Sequence, residues 1–302
     1  MFKSKNSMSR ALVRRETTAG YLFLLPSLFF FVTFVLSPMF LCIYTSFFDS
    51  NMGKNAVDVF VGLGNYKELF QDKLFLGALK NTVVIVVVAV PTVCAFSLWV
   101  ATAIYDMKPA LTSAFRCIFY LPVVTGSVAV TVVWKWMYNS RYGVFNYLFK
   151  SLGIIDQNIN WLGDARFALW CIILILFTTS VGQPIVLYVS ALGNVDHSLV
   201  EAAQVDGANR RQVFWKIKWA QIMPTTLYIL IITTINSFQC FALIQLLTSG
   251  GPTHSTDTIM YYIYYTAFKL YRYGYGNAMG VVLMIIIAVL SAVQFKLGQQ
   301  SD

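Results

Sequence analysis

From Asn81 to Ile104 the chain carries no charged side chain. About 20 consecutive apolar residues let a helix cross the roughly 30 Å hydrocarbon core of a bilayer, and this run meets that length. Its β-branched stretch, Val83 to Val90, has strand character. Length and want of charge nonetheless favour a membrane-spanning helix, with Pro91 as a kink position. Five further runs follow the same pattern, at about 20–44, 114–133, 167–192, 222–247 and 277–295. The expected fold is all-α, a polytopic membrane protein with six transmembrane helices. Composition agrees: of 302 residues, 58% are hydrophobic and 12% charged, against about 25% charged in a soluble domain.

The first run is longer than the roughly 7–15-residue core of a signal peptide and lacks a small-residue cleavage site, so it is predicted to be retained. Lys3, Lys5, Arg10, Arg14 and Arg15 precede it, and Arg210, Arg211, Lys216 and Lys218 cluster between the fourth and fifth runs. Basic residues of this kind stay in the cytoplasm, so both termini and that segment are expected there. The net charge of +9 then reads as membrane orientation, not nucleic-acid binding. The expected organisation is a cytoplasmic segment, 1–19, followed by a membrane domain, 20–302, with a cytoplasmic loop at 193–221.

Several chemistries are disfavoured. Cys42, Cys94, Cys117, Cys171 and Cys240 lie in or beside apolar runs without CxxC spacing, and His197 and His254 fall in different loops. No metal site, redox pair or enzyme active site can be assembled from them. The chain has no GxxxxGK[ST] phosphate loop. No acid or base interrupts the centre of a span, as ion-coupled carriers usually require. If the chain moves a solute, the energy must then enter from a partner.

One polar interval has its own helical grammar. Asp196 can cap a short helix whose apolar positions Leu199, Val200 and Ala203 recur at helical spacing. Gly207 stands where that helix must stop. Asn209 and Gln212 have capping-box spacing for a second helix. A helical knuckle between two membrane-length runs is a docking element or an amphipathic linker. In the fifth run, Thr233, Asn236, Ser237 and Cys240 share one helical face. An unpartnered amide in hydrocarbon costs several kcal/mol, so Asn236 must meet protein or a water-filled path. Interhelical bonding and a solute pathway are both open readings.

Glu201-Ala202-Ala203, Asp206-Gly207-Ala208, Phe214, Ile217 and Pro224 resemble the EAA signature of binding-protein-dependent ABC importer permeases. Phe60-Val61-Gly62-Leu63-x-Asn65-Tyr66, Leu121-Pro122, Trp134, Trp136-Met137, Trp161-Leu162 and Leu246-Leu247-Thr248-x-Gly250-Gly251-Pro252 are similar to landmarks of the carbohydrate-uptake branch, in particular the larger maltose permease subunit. That subunit's extra N-terminal spans and large external domain are missing here. Family members place proline sooner after Ile217, which leaves the end of the second helix before Pro224 open.

The resemblance implies a permease in a bacterial inner membrane. Its Glu201, Ala202, Ala203, Asp206 and Gly207 would form the coupling helix that docks on an ATPase. Its partners would be a second homologous permease, two ATPase subunits carrying ATP and Mg²⁺, and an extracytoplasmic binding protein; the chain itself would hold no cofactor. Thr233, Asn236, Ser237 and Cys240, with Gly182 and Gln183 on the fourth run, match solute-lining positions. A sugar is the implied solute. Glycerol phosphate-type solutes, or an ion-coupled secondary carrier, are the alternatives.

Overall fold

The computed structural model describes residues 3–50 and 58–299. Helix α1 (Lys3–Phe31) continues through a π-turn (Val32–Leu36) into α2 (Ser37–Thr45). The wide turn falls just before Pro38, whose ring nitrogen cannot donate to the preceding turn. The helix thus begins inside the basic 1–19 segment. Every side chain from Leu12 to Val35 is exposed, and only the α2 end touches the bundle, where Asn277 Nδ2 donates to Thr45 Oγ1 at 2.7 Å.

A two-strand ribbon, β1 (Phe48–Asp49) and β2 (Val59–Phe60), leads to α3 (Gly64–Gln71) and α4 (Lys73–Tyr105). Helices α5 (Pro109–Val124) and α6 (Ser127–Met137) come next, then α7 (Val144–Ser151), α8 (Ala168–Ser180) and α9 (Gly182–Gly193). Helix α10 (His197–Val205) precedes α11 (Arg210–Val213), which runs through a second π-turn (Phe214–Lys218) into α12 (Trp219–Phe238). Helices α13 (Ala242–Leu247), α14 (Ile259–Phe268) and α15 (Tyr273–Gln299) complete the chain. Five stretches are long and apolar enough to cross a membrane, and the α5–α6 pair makes a sixth crossing.

Two spans differ from their sequence outlines. The third is broken, with α5 and α6 meeting at 94°. Thr125 and Gly126 adopt extended angles one turn after Pro122, and no helical run can pass through them. The fifth starts much earlier than 222, since Arg210 to Phe238 is one helix interrupted only by its π-turn. Pro224 is absorbed inside it, so the loop proper ends at Asn209 and not at 221.

Helix α4 is the central post. Val93, Val100, Ala101 and Ile104 pack into a core with Ile185, Tyr188 and Leu192 of α9 and Ile222 and Ile229 of α12. Ser97 Oγ donates to Val181 O (3.3 Å), tying α4 to the α8–α9 junction. The tyrosine-rich stretch after Pro252 is not a plain interfacial loop. It contains α14, and Tyr261, Tyr262 and Tyr275 are buried.

Tyr262 and Tyr275 hydroxyls donate to Asp72 Oδ2 at 2.7 and 2.9 Å, while Asp72 Oδ1 caps α4 by accepting from Leu74 N at 2.8 Å. Burial works against the charge on Asp72, but these bonds prevail and hold its carboxyl below the usual range. The stabilisation is therefore present above the ordinary carboxylate pKa of about 4 and is lost as pH falls through the lowered value. Asp72→Asn should cost about 2 kcal/mol at pH 7. The deficit should shrink toward zero in thermal melts of the detergent-purified protein at strongly acid pH.

Candidate functional site

The short helix α10 projects from the end of the bundle that carries both termini. Asp196 Oδ1 accepts from Ser198 N at 2.9 Å, so the expected cap forms. The Ser198 hydroxyl, together with that backbone bond, holds the Asp196 carboxyl below its ordinary pKa. At the other end Gly207 lies at φ +82°, with Gly207 N donating to Gln204 O (3.0 Å) and Ala208 N to Ala203 O (2.9 Å). This is a Schellman stop, and it needs a residue free to adopt left-handed angles. The capping box is also present: Gln212 N donates to Asn209 Oδ1 (2.9 Å) and Asn209 N to Gln212 Oε1 (2.8 Å).

The foot is fastened to two spans. Asp196 N donates to Gln221 Oε1 of α12 at 3.0 Å, and Lys218 Nζ lies 5.1 Å from the centre of the Tyr105 ring of α4. Val200 and Ala203 are half-buried, and Val200 lines a groove of ≈ 870 Å³ behind the helix, whose walls include Tyr105, His197, Arg210 and Lys218. Glu201, Ala202, Asp206 and Gly207 are exposed. Beside them Leu199 is 51% and Val205 87% exposed. Leu199 therefore does not belong to the packed stripe that its spacing suggested. Val205, which the spacing did not single out, is the most solvent-exposed apolar side chain of the foot. Its signal was an apolar residue beside a stop glycine.

Within the bundle, two adjoining cavities of ≈ 180 and ≈ 320 Å³ share Val123 and Thr179. The smaller, on the foot side, is bordered by Thr179, Ser180, Gln183, Thr233 and Asn236. The larger is bordered by Thr125, Ser127, Gln239 and Cys240. Each polar stretch comes from an interruption in a helix: the α5–α6 bend, the α8–α9 junction at Val181, and the α12–α13 break at Gln239–Phe241.

The structure separates the two readings of the membrane polar residues. Thr234 is interhelical: it accepts from Gln294 Nε2 of α15 at 3.0 Å. Asn236 and Gln183 are exposed to the cavity, and among the described residues neither side-chain amide bonds to protein. Ser237 is buried and borders neither cavity, while Cys240 borders only the larger. Gly182 lines neither. A Cβ added there would collide with the Phe119 carbonyl oxygen and come 2.9 Å from Val123 Cγ2, so this glycine lets α9 cross α5 closely. Thr125 and Ser127 were not legible from sequence, because they lie in a run that reads as one straight helix.

A foot hung on two spans beneath a polar cavity describes a membrane transport protein. The profile of the family described as "Binding-protein-dependent transport system inner membrane component" matches residues 72–299, and the chain belongs to that family. It is 33% identical over 288 residues to the probable ABC transporter permease protein YesP of Bacillus subtilis, covering 94% of this chain and 91% of YesP. It is 32% identical over 288 residues to the lactose transport system permease protein LacF of Rhizobium radiobacter, covering 94% and 95%. In fold it resembles a chain of a bacterial alginate ABC transporter solved with an alginate pentasaccharide-bound periplasmic protein. That match has a TM-score of 0.80 at 24% identity and covers 93% of each chain.

Packing and lining roles predict different responses at neighbouring residues. Gly182→Val should destabilise the detergent-purified protein by about 1–3 kcal/mol through overpacking against α5. Gln183→Leu should stay within about 0.5 kcal/mol. Thermal unfolding of both variants measures the contrast.

Proposed function

We propose that this chain is the pore-forming permease subunit of a bacterial ABC importer for a sugar-type solute. The observation that carries the reading is the pair of amides, Asn236 and Gln183, which have no protein partner among the described residues and face an open cleft between the membrane-length helices. Hydrocarbon cannot satisfy them, so they meet water or a solute rich in hydrogen-bonding groups. Hydroxyls of Thr233 and Ser180 border the same space, and no acid or base does. A neutral polyol suits such a surface better than an ion. Membership of the family and the likeness to a lactose permease support the same reading.

The foot supplies the input of energy. Its exposed face, Leu199, Ala202 and Val205 flanked by Glu201 and Asp206, suits docking on a cytoplasmic ATPase subunit that holds ATP and Mg²⁺. Two such subunits, a second homologous permease and an extracytoplasmic binding protein complete the assembly. The basic residues at the N-terminus and around Arg210 orient the foot and both termini toward the cytoplasm. Closure of the ATPase pair moves the foot. The bonds from Asp196 and Lys218 pass that movement to α12 and α4, and the cavity turns from inward-facing to outward-facing.

Glu201→Lys inverts a charge on the docking face. Gly207→Pro replaces φ +82° with a residue locked near −65° that also lacks the N–H bonded to Gln204. Both should abolish ATP-dependent uptake by cells carrying the whole transporter, with the chain still inserted at normal levels on immunoblots of membranes. Undiminished uptake in both would sink the docking role. Asn236→Leu should instead leave assembly intact and raise the half-saturating solute concentration about tenfold, equivalent to ~1.4 kcal/mol. An unchanged concentration dependence would remove Asn236 from the path.

A further inference from the structure

At the end of the bundle remote from the foot, the last turn of α6, helix α7 and the first turns of α8 enclose a cavity of ≈ 190 Å³. Its walls are aromatic: Tyr138, Phe145, Phe149, Trp161, Phe167 and Trp170. The Tyr138 and Phe145 rings stack at 4.8 Å, and those of Phe149 and Trp161 lie 5.5 Å apart. Rings braced against one another keep the space open and shaped.

The wall's polar atoms are nearly all committed. Trp161 Nε1 donates to Asn146 Oδ1 at 3.0 Å, and Cys171 Sγ donates to Trp161 O at 3.9 Å. The Tyr138 hydroxyl lies beside the Cys171 thiol and is itself buried, so it offers nothing to the cavity. A sugar ring would bury several hydroxyls against a wall with almost nothing to answer them. A hydrocarbon chain leaves nothing unpaired.

The mouth and rim agree with that chemistry. Trp170 and Leu174, one turn apart on α8, are 55% and 42% exposed. Arg166 stands at the rim, paired with Asp164 at 2.7 Å and 5.5 Å from the centre of the Phe167 ring that forms part of the wall. This residue stands just before the first turn of a membrane span, at the level where lipid headgroups lie. Helix α7 turns Phe145 and Phe149 inward and leaves Tyr147 and Leu148 exposed, as a helix lying along a membrane surface does.

We propose that this pocket is a lipid site. It takes one acyl chain of a phospholipid from the leaflet opposite the foot, with the phosphate near Arg166. The site is separate from the solute cavity and does not depend on which solute is carried.

The test uses the complete transporter in phosphatidylethanolamine and phosphatidylglycerol vesicles, with a trace of phosphatidylglycerol bearing a diazirine on one acyl chain. After photolysis, peptides spanning residues 138–174 should carry several-fold more label than α1, the internal control for ordinary lipid contact. Leu174→Trp, which fills the mouth, should cut the pocket label several-fold and leave that on α1 unchanged. The proposal is overturned by label spread evenly over the lipid-facing surface, by label indifferent to Leu174→Trp, or by a protein subunit cross-linked across Trp170.

Discussion

Hydrocarbon offers no hydrogen bond to a peptide group, and the architecture follows from that constraint. A spanning segment is a helix, and wherever the helix stops the freed groups must meet protein or a wet space. Three interruptions occur inside the bundle: Thr125–Gly126, Val181 and Gln239–Phe241. All three adjoin the same pair of cavities, directly or through their flanking residues. The places where the chain abandons regular structure are the places where polar residues accumulate. The cavity is thus a consequence of three local breaks at similar depth.

The same logic explains the stiffness of the foot. Helix α10 is too short to be stable by itself, yet both of its ends are closed, by Asp196 and by the Gly207 stop. The Gln221 contact fixes it to α12, and Lys218 of the adjoining π-turn ties that helix to Tyr105 of α4. Because α11, the π-turn and α12 form one helix, a force on the foot enters the very segment that carries Asn236. Coupling needs no flexible linker here; it needs the absence of one.

At the far end, a polar network does what apolar packing does elsewhere. Asn81 Nδ2 donates to the carbonyls of Ser255 and Asp257, Ile259 N donates to Thr82 Oγ1, and Thr258 Oγ1 donates to Cys240 O. These bonds join α4, the α12–α13 break and the segment before α14. Gly250, at φ +83°, is needed there because an added Cβ would collide with Asp257 Oδ1. The bidentate Glu68–Arg272 pair and the Asp72 bonds close the outer edge.

The sequence by itself determined the apolar crossings, the caps at Asp196 and Asn209, and the stop at Gly207. Each depends on hydropathy summed over a run, or on partners no more than five residues apart. Even there, the spacing of Leu199, Val200 and Ala203 defines a stripe but not what covers it, and Leu199 stands 51% exposed. Only the tertiary structure decided that Asn236 faces open space while Thr234 bonds α15, and that Gly182 marks a helix crossing while Gln183 borders the cavity. It also bent the third span, so that Thr125 and Ser127 reach the cavity, and it buried Tyr261, Tyr262 and Tyr275. Which side of a helix meets protein, lipid or water is set by neighbours far away in the chain, such as Gln294 for Thr234 and Phe119 for Gly182, and local pattern carries no record of them.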